Sequence, residues 1–281
     1  MKFKFFVIMT ALFCSFGAAA AADKPRQLHI QCGDVGIFIA PQLFWNLNGI
    51  TFGKRFIGRQ DHGFYGTVIR YDVGWVGTGH LENGIGETGV EVEFTRDGKV
   101  FTPSPEQSEI VCRTFTMTKK STLHHAQLIY TLKVADGVIY ESVKLQMLKD
   151  QHLKIVYNFM HPWHDSFEDY RIRPADGGET SGNAPRSEKG KMLLFEQPET
   201  ATLYSKSLQT ALFSTVSAQN SAPLGHWLLW NRGEQDRKLY FRPLFGKTVS
   251  AGEVMQWQMK TTFRRMDFAD WQKLDLEKLH F

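Results

Sequence analysis

The residues best able to do chemistry lie in a glycine-rich segment. From Val73 to Gly89 the chain reads VGWVGTGHLENGIGETG, which places His80, Glu82 and Glu87 among six glycines. Glycine permits a positive φ and lets a ligand approach the backbone closely. Histidine beside carboxylates can act as general acid, general base or metal ligand near neutral pH. We therefore predict that His80 and Glu82 are catalytic and that Glu87 contacts the substrate.

A second histidine cluster follows an apolar run. His161, Trp163 and His164 come at the end of Leu153–Met160, which is patterned as a strand. A residue at a strand end can project from a rigid scaffold into a site, so His161 is predicted to be catalytic. Trp163 and His164 are predicted to bind substrate, because an aromatic ring offers an apolar face to a sugar ring. A structural role for each histidine stays open.

Other chemistries have weaker support. The histidines and carboxylates together would suit zinc, manganese or calcium. No His-x-x-x-His spacing is present, however, so no metal ligand and no cofactor is assigned. Gly77-x-Gly79 precedes an alternating strand pattern rather than a helix, which argues against a phosphate cradle. No Gly-x-Ser-x-Gly motif supports a serine hydrolase.

The N-terminus and the charge indicate location and partners. Residues 1–22 combine Lys2 and Lys4 with an apolar run and small residues, which predicts a signal peptide and a periplasmic or secreted protein. The apolar run is too short for a transmembrane span, so we expect no membrane span after cleavage. Subtracting both lysines from 33 basic residues leaves 31 against 29 acidic ones, with no basic stripe. Nucleic acid is therefore not an expected partner.

Strand patterns dominate residues 23–281. Gln127–Ala135 and Val138–Leu148 flank Asp136-Gly137, a strong hairpin signal, and Leu153–Met160 follows as a third strand. Long antiparallel strands with few helices predict an all-β protein, a large antiparallel β-sandwich. No linker-like segment divides the sequence, so a single domain is expected over these residues.

Three features have more than one interpretation. Asp267 can cap a C-terminal helix that carries Trp271, although an irregular packed arm fits as well. The polar, weakly patterned stretch Pro162–Lys191 is predicted to be a long loop, of the kind that is often functional or mobile. Cys32 and Cys112 can form one disulfide or stay as two buried free thiols.

Three short segments, taken together, resemble a known family. They are Gly63–Arg70, a glycine-aromatic strand ending in an arginine; Leu153–Trp163, a strand with a histidine; and Lys238–Phe263, a closing pair of strands. The chain resembles the galactose mutarotase-like superfamily of aldose epimerases and carbohydrate-active enzymes. It also resembles uncharacterised secreted proteins of polysaccharide-degrading bacteria. The superfamily implies a supersandwich with a sugar site on its concave sheet and His161 as the acid.

The closing segment departs from the mutarotase pattern. Where the resemblance implies a carboxylate base, the chain reads Tyr240-Phe241-Arg242-Pro243, and a guanidinium stays protonated. Arg242 and Arg70 are predicted instead to bind an acidic sugar, because guanidinium pairs bidentately with carboxylate or sulfate.

The expected ligand is therefore a carbohydrate. As an enzyme, the protein would use acid–base chemistry of an epimerase, lyase or hydrolase. Two alternatives stay open, a glycan-binding module that uses Trp75, Trp163 and the arginines, and a structural or assembly protein of the envelope.

Overall fold

A computed structural model describes residues 27–60, 65–80, 82, 84–220 and 222–279. The predicted signal peptide lies outside these residues, as does the start of the segment Gly63–Arg70. The described residues form two large β-sheets with most of the buried apolar side chains between them. The predicted all-β sandwich with few helices is confirmed.

The first sheet has eleven strands among the described residues, numbered along the chain with those of the second sheet. They are β1 (Leu28–Cys32), β2 (Val35–Ala40), β3 (Asn46–Phe52), β4 (Arg55–Gly58), β5 (Val68–Tyr71), β6 (Gly74–Gly77), β9 (Glu109–Cys112), β13 (Gln151–Trp163), β16 (Met192–Glu196), β19 (His226–Asn231) and β20 (Arg237–Val249). Their order is β16-β19-β20-β13-β4-β3-β2-β1-β9, with β5 on β13 and β6 on β5. Only the β1–β9 pair is parallel among these described strands.

The second sheet has ten strands within the described ranges. They are β7 (Glu87–Arg96), β8 (Lys99–Phe101), β10 (Thr114–Leu123), β11 (Ala126–Ala135), β12 (Val138–Met147), β14 (Asp169–Pro174), β15 (Thr180–Asn183), β17 (Pro198–Ser205), β18 (Thr210–Gln219) and β21 (Val254–Arg265). Their order is β15-β14-β17-β18-β21-β12-β11-β10-β7-β8.

The β11–β12 hairpin shows how the sequence builds this sandwich. Asp136 and Gly137 both have positive φ, 53° and 75°, which is the conformation that a two-residue hairpin turn requires. Along β12 every second residue is buried, so one face of the strand packs into the core. Each buried Ile, Val or Leu of that face contributes about 1.5–3 kcal/mol to folding.

Helical structure is short. The α-helix α1 covers Phe268–Lys273, and 3₁₀ turns cover Pro41–Leu43, Arg186–Glu188 and Leu276–Lys278. The C-terminal helix expected after Asp267 is thus present for six residues and then gives way to a turn. Within the described residues, none of the helices has the length and apolar character needed to cross a bilayer.

The stretch Pro162–Lys191 is not the long loop that its polar composition predicted. It contains the end of β13 and all of β14 and β15. Polar side chains of β14 are buried with partners, for example Arg171, whose Nε donates to Glu179 at 2.6 Å. The polar composition of this stretch therefore did not indicate β14 and β15, because their polar residues are paired within the fold.

The cysteines lie side by side on the parallel β1–β9 pair. Cys32 and Cys112 are register partners, and both are free thiols with their Sγ atoms 3.2 Å apart. Burial, more than the neighbouring thiol, raises the pKa of Cys32 above the usual range.

Candidate functional site

Strand β13 carries a bulge that decides which side chains reach each face. Its register with β20 shifts between Val156 and Asn158 and again between Asn158 and His161, and Phe159 has a φ of 51°. An extra residue in one strand inverts the alternation of the side chains beyond it. Tyr157 therefore lies on the outer face of the eleven-stranded sheet, whereas His161 lies inside the sandwich.

His161 belongs to a buried polar network between the sheets. Its Nε2 atom lies 2.8 Å from Oε2 of Glu141 on β12, and both side chains are at most 2% exposed. The hydroxyl of Tyr130 donates to Oε1 of Glu141 at 2.7 Å. Burial, and then the Glu141 carboxylate, raises the pKa of Tyr130 well above its usual value. The predicted acid His161 is thus held in the core by a carboxylate of the opposite sheet.

The two residues predicted beside His161 also have structural partners. Trp163 is fully buried at 0% exposure, so its ring contacts the core. Nδ1 of His164 lies 3.0 Å from Oδ1 of Asp165, and Arg186 pairs with the same carboxylate at 2.7 Å. Burial lowers the pKa of His164 and Asp165 opposes this. His164 therefore belongs to an ion-pair network, and Trp163 belongs to the core.

Aromatic side chains from three strands pack together on the outer face of the eleven-stranded sheet. Trp75 on β6 stacks on Tyr157 with ring centroids 5.7 Å apart and an interplanar angle of 14°. Tyr240 on β20 meets Tyr157 edge-on at 4.8 Å. We call Trp75, Tyr157 and Tyr240 the aromatic cluster. It packs with Val68 and Met160 in an apolar group separate from the core.

Two arginines flank the aromatic cluster. Arg70 is the cross-strand neighbour of Trp75, and its Cζ atom lies 5.4 Å from the centre of the indole ring. Arg242 lies on β20, which pairs with β13 on the side opposite β5, and its Cζ atom lies 4.9 Å from the ring centre of Phe245. Burial raises the pKa of Tyr157, and the charges of Arg242 and Arg70 lower it. Among the described residues, neither arginine has an acidic partner, and Nε of Arg242 is buried without a hydrogen bond. Neither guanidinium is therefore neutralised by an ion pair with a described carboxylate.

His80 and Glu82 lie in the loop after β6, at the edge of the aromatic cluster. Oε2 of Glu82 accepts a hydrogen bond from the backbone N–H of Trp75 at 3.2 Å and lies 3.7 Å from Nε2 of His80. Both side chains are partly exposed, at 24% for His80 and 40% for Glu82. A partly exposed imidazole beside a carboxylate can exchange a proton with a bound ligand.

Glu87 anchors the same loop from inside the protein. Its Oε1 atom lies 2.8 Å from Nζ of Lys119, and both side chains are buried at 0% exposure. It also accepts hydrogen bonds from Ser121 Oγ at 2.7 Å and from the Gly79 N–H at 3.3 Å. Burial lowers the pKa of Lys119, which Glu87 opposes. Glu87 was predicted to contact the substrate, but its carboxylate connects the loop of His80 to β10 through these buried contacts.

Sequence reasoning singled out Arg70 and Arg242, which the structure brings to one face, but it missed Tyr157 and Tyr240. A signal was present on β20, where Lys238, Tyr240 and Arg242 alternate with apolar residues. This spacing places the three side chains on one face of a strand. The bulge before His161 had no comparable signal.

A metal site stayed open on sequence grounds. In the part of the chain that the structure describes, no three His, Cys, Asp or Glu side chains converge as metal ligands would. His80 and Glu82 form a pair, and the third candidate Glu87 is bound to Lys119. We assign no residue to a metal.

The fold is similar to that of an aldose 1-epimerase-type structure, in agreement with the resemblance to galactose mutarotases stated from the sequence. A candidate aldose 1-epimerase of Escherichia coli K12 superposes with a TM-score of 0.52 at 8% sequence identity, covering 85% of this chain and 99% of that one. An α-galactosidase of Lactobacillus brevis gives a TM-score of 0.50 at 7% identity, covering 86% of this chain and 40% of that one. No family model and no curated protein matches the sequence. At these identities the likeness shows the fold alone.

Proposed function

We propose that the protein binds an acidic carbohydrate on the outer face of the eleven-stranded sheet. The observation that carries this proposal is the pair Arg70 and Arg242, which flank stacked aromatic rings and have no acidic partner among the described residues. A guanidinium pairs strongly with a carboxylate or a sulfate. The rings of Trp75 and Tyr157 offer the apolar surface that a sugar ring requires.

The fold and the predicted export support a carbohydrate over other anions. Both structural neighbours carry names of sugar-processing proteins. The predicted signal peptide would deliver the mature protein to the periplasm or the medium, where acidic polysaccharides are accessible. The sequence contains no continuous basic stripe of the kind that binds nucleic acid.

Affinity electrophoresis tests the proposal. The mature protein would be run through gels containing polygalacturonate, alginate, chondroitin sulfate or a neutral dextran. We expect retardation by at least one acidic polymer, none by dextran, and weaker retardation at high salt because exposed charges are screened. Equal migration in all gels would overturn the proposal.

A double variant with a matched control locates the site. We expect Arg70→Ala/Arg242→Ala to migrate freely in the acidic gel. The control Lys133→Ala/Lys260→Ala removes two cations that lie 5.5 and 5.8 Å from the ring of Tyr140, on the ten-stranded sheet, and should be retarded like the wild type. Loss of retardation in both variants would indicate nonspecific charge attraction.

Acid–base chemistry on the bound sugar is the second candidate function. The contact of His80 with Glu82, whose carboxylate also holds the Trp75 backbone, favours it. His80 would transfer a proton to or from the sugar while Glu82 stabilises its charged form. The test is formation of reducing ends, or exchange of anomers seen by NMR, with the acidic polymer that binds. Turnover that survives His80→Ala would exclude this role, and so would an absence of product in the wild type.

A further inference from the structure

A second group of cations and aromatic rings lies on the same outer face, beyond Tyr240. Cζ of Arg232 lies 5.3 Å from the ring centre of Trp230 on β19. Trp230 is the register partner of Lys238 on β20, and Nζ of Lys238 lies 5.8 Å from the ring centre of Tyr240. Tyr240 therefore separates the pair Arg232 and Lys238 from the arginines described above.

Lys238 is an unusual residue for this position. Its side chain is only 8% exposed, and among the described residues it has no hydrogen bond or ion pair besides the contact with Tyr240. Burial first, and then the charge of Arg232, lower its pKa to about 8, although Asp236 opposes both. Asp236 is already paired with Arg232 at 3.0 Å. A largely buried lysine is unfavourable when no carboxylate pairs with it, and an anionic ligand would supply that pair.

Few charged or titratable groups face Lys238 among the described residues. Arg232 and Asp236 face it from the β19–β20 connection, Tyr240 faces it along β20, and Pro162, its uncharged partner on β13, faces it from the other side. Burial, and then the charge of Tyr157, raises the pKa of Tyr240 above the usual range. Near pH 8 Lys238 is thus the group of this set that changes its charge.

The spacing of the two cationic groups indicates the length of the ligand. Lys238 and Arg242 lie on one face of β20, four residues apart, which corresponds to about 13 Å along a strand. The charges of Arg242 and Arg232 both act on Tyr240 between them. One monosaccharide does not span this distance, whereas a chain of acidic sugars does.

We propose that Lys238 and Arg232, beside Trp230, form a second anion subsite, so that the ligand is an extended acidic polysaccharide held at two points. This inference rests on the proposed function, because Arg70 and Arg242 supply the first point. Tyr240 lies between the two subsites and contacts the chain that joins them.

Calorimetric titration of oligosaccharide ladders tests the second subsite. Oligogalacturonates and chondroitin sulfate oligosaccharides, from one repeat to six, would be titrated into the wild type, Lys238→Met and Lys238→Arg. We expect wild-type affinity to rise at least tenfold from the shortest to the longest ligand. Lys238→Met should lose that gain and leave the shortest ligand unaffected, whereas Lys238→Arg should keep it.

Proton uptake on ligand binding distinguishes a lysine that contacts the ligand from one with a structural role only. At pH 8 about half of the Lys238 amines are neutral in the free protein, given a pKa of about 8. Titration in two buffers of different ionisation enthalpy should show uptake of about half a proton per long ligand bound. Lys238→Arg should show none at that site, because arginine stays protonated.

The outcomes separate the two proposals. If Lys238→Met binds the longest ligand as tightly as the wild type, while Arg70→Ala/Arg242→Ala does not bind it, only the second subsite is wrong. If the wild type binds no member of either ladder and no acidic polymer retards it in the gels, the proposed function fails as well. If a single-stranded oligonucleotide of equal charge binds more tightly than every glycan, the ligand class is wrong.

Discussion

Tyr157 and His161 belong to one strand but lie on opposite faces of the eleven-stranded sheet. The charged groups on the two faces differ in whether they have ion-pair partners. Inside, His161 lies 2.8 Å from a carboxylate at almost no exposure. Outside, Tyr157 lies between Arg70 and Arg242, which have no acidic partner among the described residues. Charges that are buried for structure need internal partners, whereas Arg70 and Arg242 have none among the described carboxylates and can pair with a ligand.

This contrast separates two expected kinds of mutational effect. Substitutions in the network of His161, Glu141 and Tyr130 should lower the free energy of unfolding without changing ligand binding by the folded protein. Substitutions in the aromatic cluster and its arginines should do the reverse.

Removing the carboxylate of the inner network should have the largest effect. Glu141→Ala leaves His161 and the Tyr130 hydroxyl without their buried partner, and we expect a loss of about 3–5 kcal/mol in the free energy of unfolding. Urea denaturation measures it. Tyr130→Phe, which removes one hydrogen bond, should lose about 1–2 kcal/mol. A loss below about 1 kcal/mol for Glu141→Ala would show that the inner network is not required for folding.

Removing the outer arginines should affect binding and leave stability nearly unchanged. We expect Arg70→Ala/Arg242→Ala to weaken binding of the acidic polymer by about 2–3 kcal/mol, because charged hydrogen bonds are lost at a partly screened site. Unfolding free energy should change by about 0.5 kcal/mol or less. A stability loss as large as that of Glu141→Ala would mean that the arginines are structural.

Raising the pH should weaken binding of long acidic ligands. Burial holds the pKa of Lys238 at about 8 in the free protein, and the ligand requires the charged form. Affinity should therefore be highest below pH 8 and fall as pH rises from 7 to 9, by up to about tenfold at one unit above the pKa. Lys238→Arg should abolish most of this dependence, and an identical pH profile in that variant would assign the titration to another group.

Replacing Trp75 should have a smaller effect. Trp75→Ala removes the ring that stacks on Tyr157, and we expect a loss of about 1 kcal/mol in binding of the acidic polymer. Trp75→Phe keeps an aromatic face and should retain most of the affinity. If both variants bind like the wild type in titration calorimetry, the ligand does not contact this end of the aromatic cluster.

The smallest effect on affinity is expected from His80. His80→Ala removes a partly exposed imidazole with no part in the cation pairs, so affinity for the acidic polymer should change by less than about threefold, or about 0.6 kcal/mol. Titration calorimetry measures this. A large loss of affinity would move the ligand toward the loop of His80 and Glu82.

The strands could be predicted from the sequence because turn residues and alternating burial are local patterns. Asp136-Gly137 specifies its turn, and the alternation along β12 specifies which side is buried. The position of His161 was not readable, because it depends on a bulge at Phe159, a residue that carries no glycine or proline signal. A shift of one residue moves every later side chain of the strand to the other face.

Long-range pairing limited the rest of the sequence-based site. Glu87 belongs to a loop with a functional residue pattern, but its partner Lys119 lies 32 residues later on β10, and only the fold brings the two together. Arg70 and Arg242 were singled out as potential anion contacts from their types. Their shared face with Tyr157 depended on the pairing of β5, β13 and β20.

Recognition by Arg70 and Arg242 is tested most directly by the salt-dependent affinity of the wild type and two double variants for an acidic polysaccharide that retards the protein. We predict that the wild type and Lys133→Ala/Lys260→Ala bind alike and weaken together as salt rises, while Arg70→Ala/Arg242→Ala binds weakly at every salt concentration. Equal affinity of all three proteins would contradict this, because Arg70 and Arg242 would then have no part in recognition.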